Sequence, residues 1–396
     1  MSGVPPMASF EHTIAALRLF HGPDSLARLG RELERLGAQR AVIICGRSMA
    51  QQGQLLDRVR QAAGERCVGV FDGVQAHSPL ASVEAGAAYL GQTGADAAIA
   101  LGGGSAIVTA RAASIVLAEG RPVDELCTQV DAGGALKSPK LLTPKIAQLV
   151  LPTTPSTAMV KAGSAVFDPG PGKRLAMFDP KTRAAAIFIH PELIATAPRA
   201  LVISASLNTL TMAVEGLVSR SGNPLADAQL MHALRLIAAH LARPDSLEDP
   251  SVRGELLLAA VLCGQGTDHA GAGITTVLGH ALGARFHTEN GLVNAVVLPH
   301  ALRFNGDAAP TGMDKVAAAL GLAGAGARGA VAEQLVEHLS ELYAGLSIPT
   351  RLRQLQVPAD SLPAVATLAM ADWFLRGNPR PITDAGQLLS VLQAAW

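Results

Sequence analysis

Short apolar runs alternate with helix-length amphipathic runs through the first half of this 396-residue chain, and the alternation stops near Pro191. RAVIICG (40–46), CVGVFDG (67–73) and AAIAL (97–101) read as strands; SMAQQGQLLDRVRQAAG (48–64) and SPLASVEAGAAYLGQTG (78–94) carry helical spacing. Strands separated by helices of this length predict parallel βαβ units with helices on both faces of the sheet. IAQLVLP (146–152) and AAAIFIHP (184–191) add two strands bracketing a polar, proline-punctuated hairpin region, while VDAGGALKSPKLLTPK (130–145) reads as a loop. From Pro198 to the C-terminus the apolar spacing is helical almost throughout. An α/β domain over 1–191 and an all-α domain over 192–396 follow, with the cleft between them as the expected site. Length agrees, since single cores stop growing near ~250–300 residues.

Composition narrows the function. Lys plus Arg and Asp plus Glu each number 32, so the formal charge is zero, and aromatic residues make up 3%. That balance argues against nucleic acid or an anionic membrane as partner. MSGVPPMASFEHT lacks a basic segment followed by an apolar one, and no charge-free apolar run reaches the ~20 residues of a bilayer span. Cys45, Cys67, Cys127 and Cys263 stand singly, as expected of reduced thiols in a cytoplasmic protein.

Gly102-Gly103-Gly104-Ser105 lies between the AAIAL strand and the helical run AIVTARAASIVL (106–117). A glycine-rich turn from strand to helix lets backbone N–H groups approach a phosphate; a tight turn without a ligand is the alternative. Leu151-Pro152-Thr153-Thr154, then Pro155-Ser156-Thr157, ends a second strand in hydroxyls that either cap the turn or face a cofactor.

These motifs resemble, in order, those of the iron-containing (group III) alcohol dehydrogenases and the related maleylacetate reductases. Gly102 to Ser105 resembles the family's GGGS diphosphate loop and Pro152-Thr153-Thr154 its PTT segment. Asn208 to Glu215 (NTLTMAVE) resembles its D-A-L-x-H-A-x-E helix, and Gly279 to Gly283 followed by Asn290 to His300 its AHxLG…HGxxNAxxLPH region. Phe71-Asp72-Gly73, His77-Ser78-Pro79 and Asn208 look more like the maleylacetate reductase branch. The resemblance implies the dehydroquinate synthase-like fold of this family, a Rossmann-like sheet domain plus a helical domain. It also implies an NAD(P)H-dependent oxidoreductase of a small carbonyl substrate and a homodimeric habit.

The family's Asp and three His metal ligands align with Asn208, Met212, Thr276 and Asn290. Two amides, a thioether and a hydroxyl carry no charge to offset a desolvated dication, so no metal is expected. Asp268 and His269 lie nearby in sequence, where a surface or capping role is expected. The diphosphate loop departs from the family at Val108 and Arg111. Gly46, Arg47 and Ser48 end the RAVIICG strand where NAD-preferring members carry an acidic residue. Losing that carboxylate and gaining an arginine favours NADPH over NADH; a merely solvated Arg47 is the alternative.

His280 falls where the family places a histidine close to substrate, one helical turn after Thr276. It is the expected proton donor, with His287 as backup and a structural, helix-bonded histidine as the alternative reading. His77, His190, His232, His240, His300 and His338 carry no such argument from spacing. Asn208, Thr276, Asn290 and His280 are expected to converge on one pocket and to stabilise developing alkoxide charge by hydrogen bonds. The cofactor residues expected are Gly46, Arg47, Ser48, Gly102, Gly103, Gly104, Ser105, Thr153, Thr154 and Thr157. A metal-independent carbonyl reductase is the leading expectation. A nucleotide-binding protein without catalysis and a reductase of C=C or C=N bonds are the alternatives.

Overall fold

The structure, a computed structural model, describes residues 9–130, 136–168, 173–322 and 330–396. Ten strands occur among them: β1 (Arg18–His21), β2 (Ala41–Gly46), β3 (Cys67–Val74), β4 (Ala97–Gly102), β5 (Gln129–Val130), β6 (Leu136–Lys137), β7 (Ala147–Pro152), β8 (Gly163–Asp168), β9 (Lys173–Phe178) and β10 (Ala184–Ile189). Six form a sheet in the order β1-β10-β7-β4-β2-β3, with every pairing parallel. Its residues alternate between two cores. Val42, Ile44, Ala98, Ala100, Val150 and Ile187 face one layer of helices, while Ile43, Cys45, Ile99, Leu101, Leu149 and Phe188 face the other. A parallel sheet covered on both faces needs apolar residues at successive positions, which is why these strands read as continuous apolar runs. Each fully buried Ile or Leu among them contributes roughly 1.5–3 kcal/mol.

The α/β and helical architecture expected from the sequence is the one observed, and all five strands read from it are present. The edge strand β1 was not legible: it has four residues, RLFH, and half of them are exposed. The helical run 48–64 is two helices, Arg47–Ala50 and Gly53–Ala63, because Gln52 adopts a non-helical conformation between them. Of the segment read as a loop over 130–145, Val130 and Leu136–Lys137 belong to the small β5–β6 ladder, and residues 131–135 lie outside the described residues. The hairpin region expected between β7 and β10 is β8–β9.

The order of strands places the site. From β2 the chain steps outward to β3, then crosses back to β4 on the other side of β2, and continues to β7 and β10. The direction of winding therefore reverses between β2 and β4, and ligands of open α/β sheets bind outside the carboxyl ends of strands at such a point. β2 ends at Gly46 and β4 at Gly102.

Beyond helix Pro191–Ala195 the chain is helical. Its central helix, Arg199–Val218, is long and apolar enough by composition to cross a membrane, but it is not charge-free, holding Arg199 and Glu215, and most of it is buried among its neighbours. It packs closely against helix Asn290–Asn305: a Cβ added at Gly291 would lie 1.7 Å from the Ser204 carbonyl oxygen.

Candidate active site

A cleft of about 230 Å³ lies between the sheet and the helical half. Gly104, Ser105 and Val108 form one end; Phe167 and Arg174 of the β8–β9 hairpin form a side; His280, His287 and Asn290 come from the helices. Gly104, Ser105, His280, His287 and Asn290 are thus brought together, along with His77, which spacing had not singled out.

The glycine-run end is built from backbone. Gly102 has φ +143°, a conformation L side chains rarely adopt, and this bends the chain sharply out of β4. A Cβ on Gly103 would stand 3.0 Å from Thr154 Oγ1, and one on Gly104 3.0 Å from Ser156 Oγ. The hydroxyl segment after β7 therefore packs on the glycine run, with the Thr153 amide donating to the Gly102 carbonyl (3.0 Å). Helix Gly104–Glu119 starts here with no side-chain cap. An uncapped helix N-terminus facing a cleft fits a diphosphate. Gly46, Arg47 and Ser48 sit at the neighbouring β2 end; Arg47 and Ser48 are exposed, and Arg47 has no ion pair among the described residues.

Arg111 does not reach this end. Fully buried, it donates to the carbonyls of Gly163 (2.7 Å) and Ala158 and ties its helix to the segment before β8. Burial, reinforced by Arg183 nearby, pulls its pKa down to about 9. Asp268 is held by Lys161 (2.9 Å) and Arg183 (2.6 Å). The His269 ring stacks on His12 with centroids 3.8 Å apart.

His280 projects from helix Ile274–Phe286 with Nδ1 2.8 Å from Asp372 Oδ2. Asp372 also accepts from the Phe374 amide (3.0 Å), and Arg174 lies 3.6 Å from the same Oδ2. Burial opposes the Asp372 carboxylate, yet His280 and Arg174 hold its pKa down to about 2. Burial, then Arg174, push His280 below the ordinary histidine value against the pull of Asp372. The ionised carboxylate assigns the proton to Nδ1, leaving Nε2 at the cleft. His287 caps the same helix in the left-handed conformation (φ +53°), edge-on to Phe167.

The remaining expected residues lie behind this wall. The Thr276 hydroxyl donates to Glu215 Oε2 at 2.6 Å instead of facing the cleft with His280. Fully buried Glu215 also accepts from the amides of Gly273 (3.0 Å), Thr275 (2.6 Å) and Thr276 (3.1 Å), sealing the N-terminus of the His280 helix. Burial pushes its carboxyl above the ordinary value, against these bonds. Asn208 meets the Asn294 amide (2.9 Å) and the Met212 sulfur (3.8 Å), and the Thr157 hydroxyl donates to the same sulfur (3.6 Å). Thr157 therefore joins Asn208 and Met212 rather than the glycine run. Asp372 and Arg174 carried no signal in the sequence. Glu215 did, as the last residue of the NTLTMAVE helix, but spacing alone did not show what it bonds.

Both halves of the chain match one family by sequence: "Iron-containing alcohol dehydrogenase" over residues 16–191 and "Fe-containing alcohol dehydrogenase family, C-terminal" over residues 202–396. Lactaldehyde reductase of Escherichia coli (strain K12) is 29% identical over 384 residues, covering 95% of this chain and 97% of its own. Maleylacetate reductase of Sphingobium indicum is 28% identical over 378 residues, covering 94% of each. A 1,3-propanediol oxidoreductase shares the fold, with a TM-score of 0.86 at 24% identity over 96% of this chain and 98% of its own. This membership corrects the expectation that no metal belongs here, because the matched family is the iron-containing one, whose members ordinarily bind NAD(P) and iron or another divalent ion. The side chains at the aligned positions, Asn208, Met212, Thr276 and Asn290, do not match the carboxylate and imidazole donors such an ion takes. The chain belongs to the iron-containing alcohol dehydrogenase family and is an NAD(P)-dependent oxidoreductase.

Proposed function

We propose that the protein reduces a small carbonyl compound with NADPH, using His280 as the proton-transfer residue. The observation that carries this reading is that one cleft holds both an uncapped helix N-terminus, at Gly104 and Ser105, and a histidine fixed by a carboxylate, His280 on Asp372. When bound, the nicotinamide supplies the hydride. The chain's own residues do the rest. The amides at the start of helix Gly104–Glu119 bind the diphosphate, and Thr154 supports the loop from behind. Arg47, exposed at the β2 end and without an ion pair among the described residues, pairs with a 2′-phosphate. Asp372 holds the His280 ring so that Nε2 faces the substrate oxygen, and its charge stabilises the imidazolium that donates the proton. In the reverse direction the neutral Nε2 accepts the proton of the alcohol. Asn290, beside His280 and His287 on the cleft wall, supplies an amide to the developing alkoxide. The cofactor and substrate residues come from two units meeting at the cleft, 1–191 and 192–396.

Steady-state NADPH oxidation with a panel of short aldehydes and ketones tests this reading. His280→Ala is expected to lower kcat by about 10²–10⁴-fold with NADPH affinity retained. Full activity in that variant would remove His280 from the chemistry.

A further inference from the structure

We propose that the carbonyl substrate carries a carboxylate and that Arg174 is the residue that recognises it. This rests on the reading of the cleft as the site of carbonyl reduction. Arg174 is the second residue of β9, the second strand of the hairpin beside the cleft, and its side chain is 36% exposed there. Among the described residues of the cleft wall it alone carries a permanent charge; three histidines, His77, His280 and His287, share the wall, and no carboxylate lines it. A cavity walled this way attracts an anion.

The guanidinium is also unspent. Its one partner among the described residues is Asp372, reached by a single nitrogen at 3.6 Å, longer than a hydrogen bond. A guanidinium has five N–H donors in a rigid fork that matches a carboxylate with two parallel bonds. An arginine serving only the fold would be expected to spend those donors on the protein, as fully buried Arg111 does on the carbonyls of Gly163 and Ala158.

Position sets the length of the substrate. Arg174 and His280 approach the same Asp372 oxygen, at 3.6 and 2.8 Å. A group bound by Arg174 therefore lies only a few bonds from a carbonyl addressed by His280, which points to a short oxo acid. The cofactor's phosphates have their own place at the start of helix Gly104–Glu119, the other end of the cleft.

The full-length protein with NADPH bound provides the test. Succinate, an unreactive dicarboxylate, is titrated by calorimetry into the wild type, Arg174→Gln and Arg174→Lys. Initial rates are taken with succinic semialdehyde and with butanal, which differ in the terminal carboxylate. We expect Arg174→Gln to weaken succinate at least tenfold and to lower the ratio of kcat/KM for the semialdehyde over butanal at least tenfold, through KM. Arg174→Lys should recover part of both. Equal succinate affinity in wild type and Arg174→Gln overturns the proposal, as does a loss confined to NADPH affinity, which would assign the arginine to the cofactor. If succinate binding depends on Arg174 and neither aldehyde is reduced, carboxylate recognition stands and the reductase reading falls.

Discussion

Helix Gly104–Glu119 meets the cleft with its N-terminus and helix Ile274–Phe286 with its C-terminal half, and the protein treats the two N-termini in opposite ways. Helix Gly104–Glu119 begins without a side-chain cap, behind glycines on which Thr154 and Ser156 pack. Helix Ile274–Phe286 begins against the buried carboxylate of Glu215, which takes three amides and the Thr276 hydroxyl. Both ends carry the same partial positive charge and the same unsatisfied N–H groups. One is left for a ligand's anion. The other is satisfied from within, and its helix becomes the fixed mount from which His280 reaches the cleft. On the proposed reading, what frees a helix N-terminus for a ligand is the absence of an internal anion, not the helix itself.

Exchanging the two treatments breaks the comparison most severely. Glu215→Ala opens the sealed end and strands its buried donors, which is expected to cost about 3–5 kcal/mol of stability, read by chemical denaturation. An unchanged midpoint would mean that Glu215 does not hold this helix. Gly103→Asp does the converse. Its extended backbone (φ −79°, ψ −167°) is open to an L residue provided Thr154, 3.0 Å from the new Cβ, gives by a few tenths of an ångström, and aspartate is a good N-cap. The fold should persist while NADPH affinity falls ~100-fold or more, because an internal carboxylate now occupies the phosphate's place.

Asp372→Asn sharpens the comparison at the mount itself. The catalysed rate should fall about tenfold. The pH profile carries a sign as well. Reduction requires protonated His280, so kcat/KM for reduction should decline as pH rises through a histidine value already lowered by burial and Arg174. Asp372 opposes that lowering, so removing its charge should move the limb to still lower pH. A limb that stays in place would remove His280 from the proton transfer. A comparable effect, confined to cofactor choice, is expected at the β2 end, where Arg47→Gln should shift the NADPH-to-NADH ratio of kcat/KM about tenfold toward NADH.

The two ends also differ in how much of them the sequence disclosed. The glycine turn depends on residues adjacent in the chain, since a strand, three glycines and a helix follow one another from Ala97 to Glu119. The helical end depends on residues far apart. His280 and Asp372 are separated by 92 positions, and Thr276 and Glu215 by 61. Helical spacing correctly puts Thr276 and His280 one turn apart, yet Glu215 draws the hydroxyl of Thr276 away and Asp372 fixes the ring of His280. Arg47 and Arg111 both mark departures from the family pattern in the expected cofactor region, but one is exposed at the β2 end and the other is buried on backbone carbonyls.

By itself the sequence determined the parallel sheet, the helical second half, the glycine turn and the likeness to one dehydrogenase family. Each of these is written in local periodicity or in contiguous motifs, because backbone geometry is set by near neighbours. Only the tertiary structure decided which helix N-terminus stays open, which carboxylate orients the histidine and which arginine keeps its donors toward the cleft. Those outcomes depend on the partner each polar group finds once buried, and burial brings together residues that the chain keeps far apart.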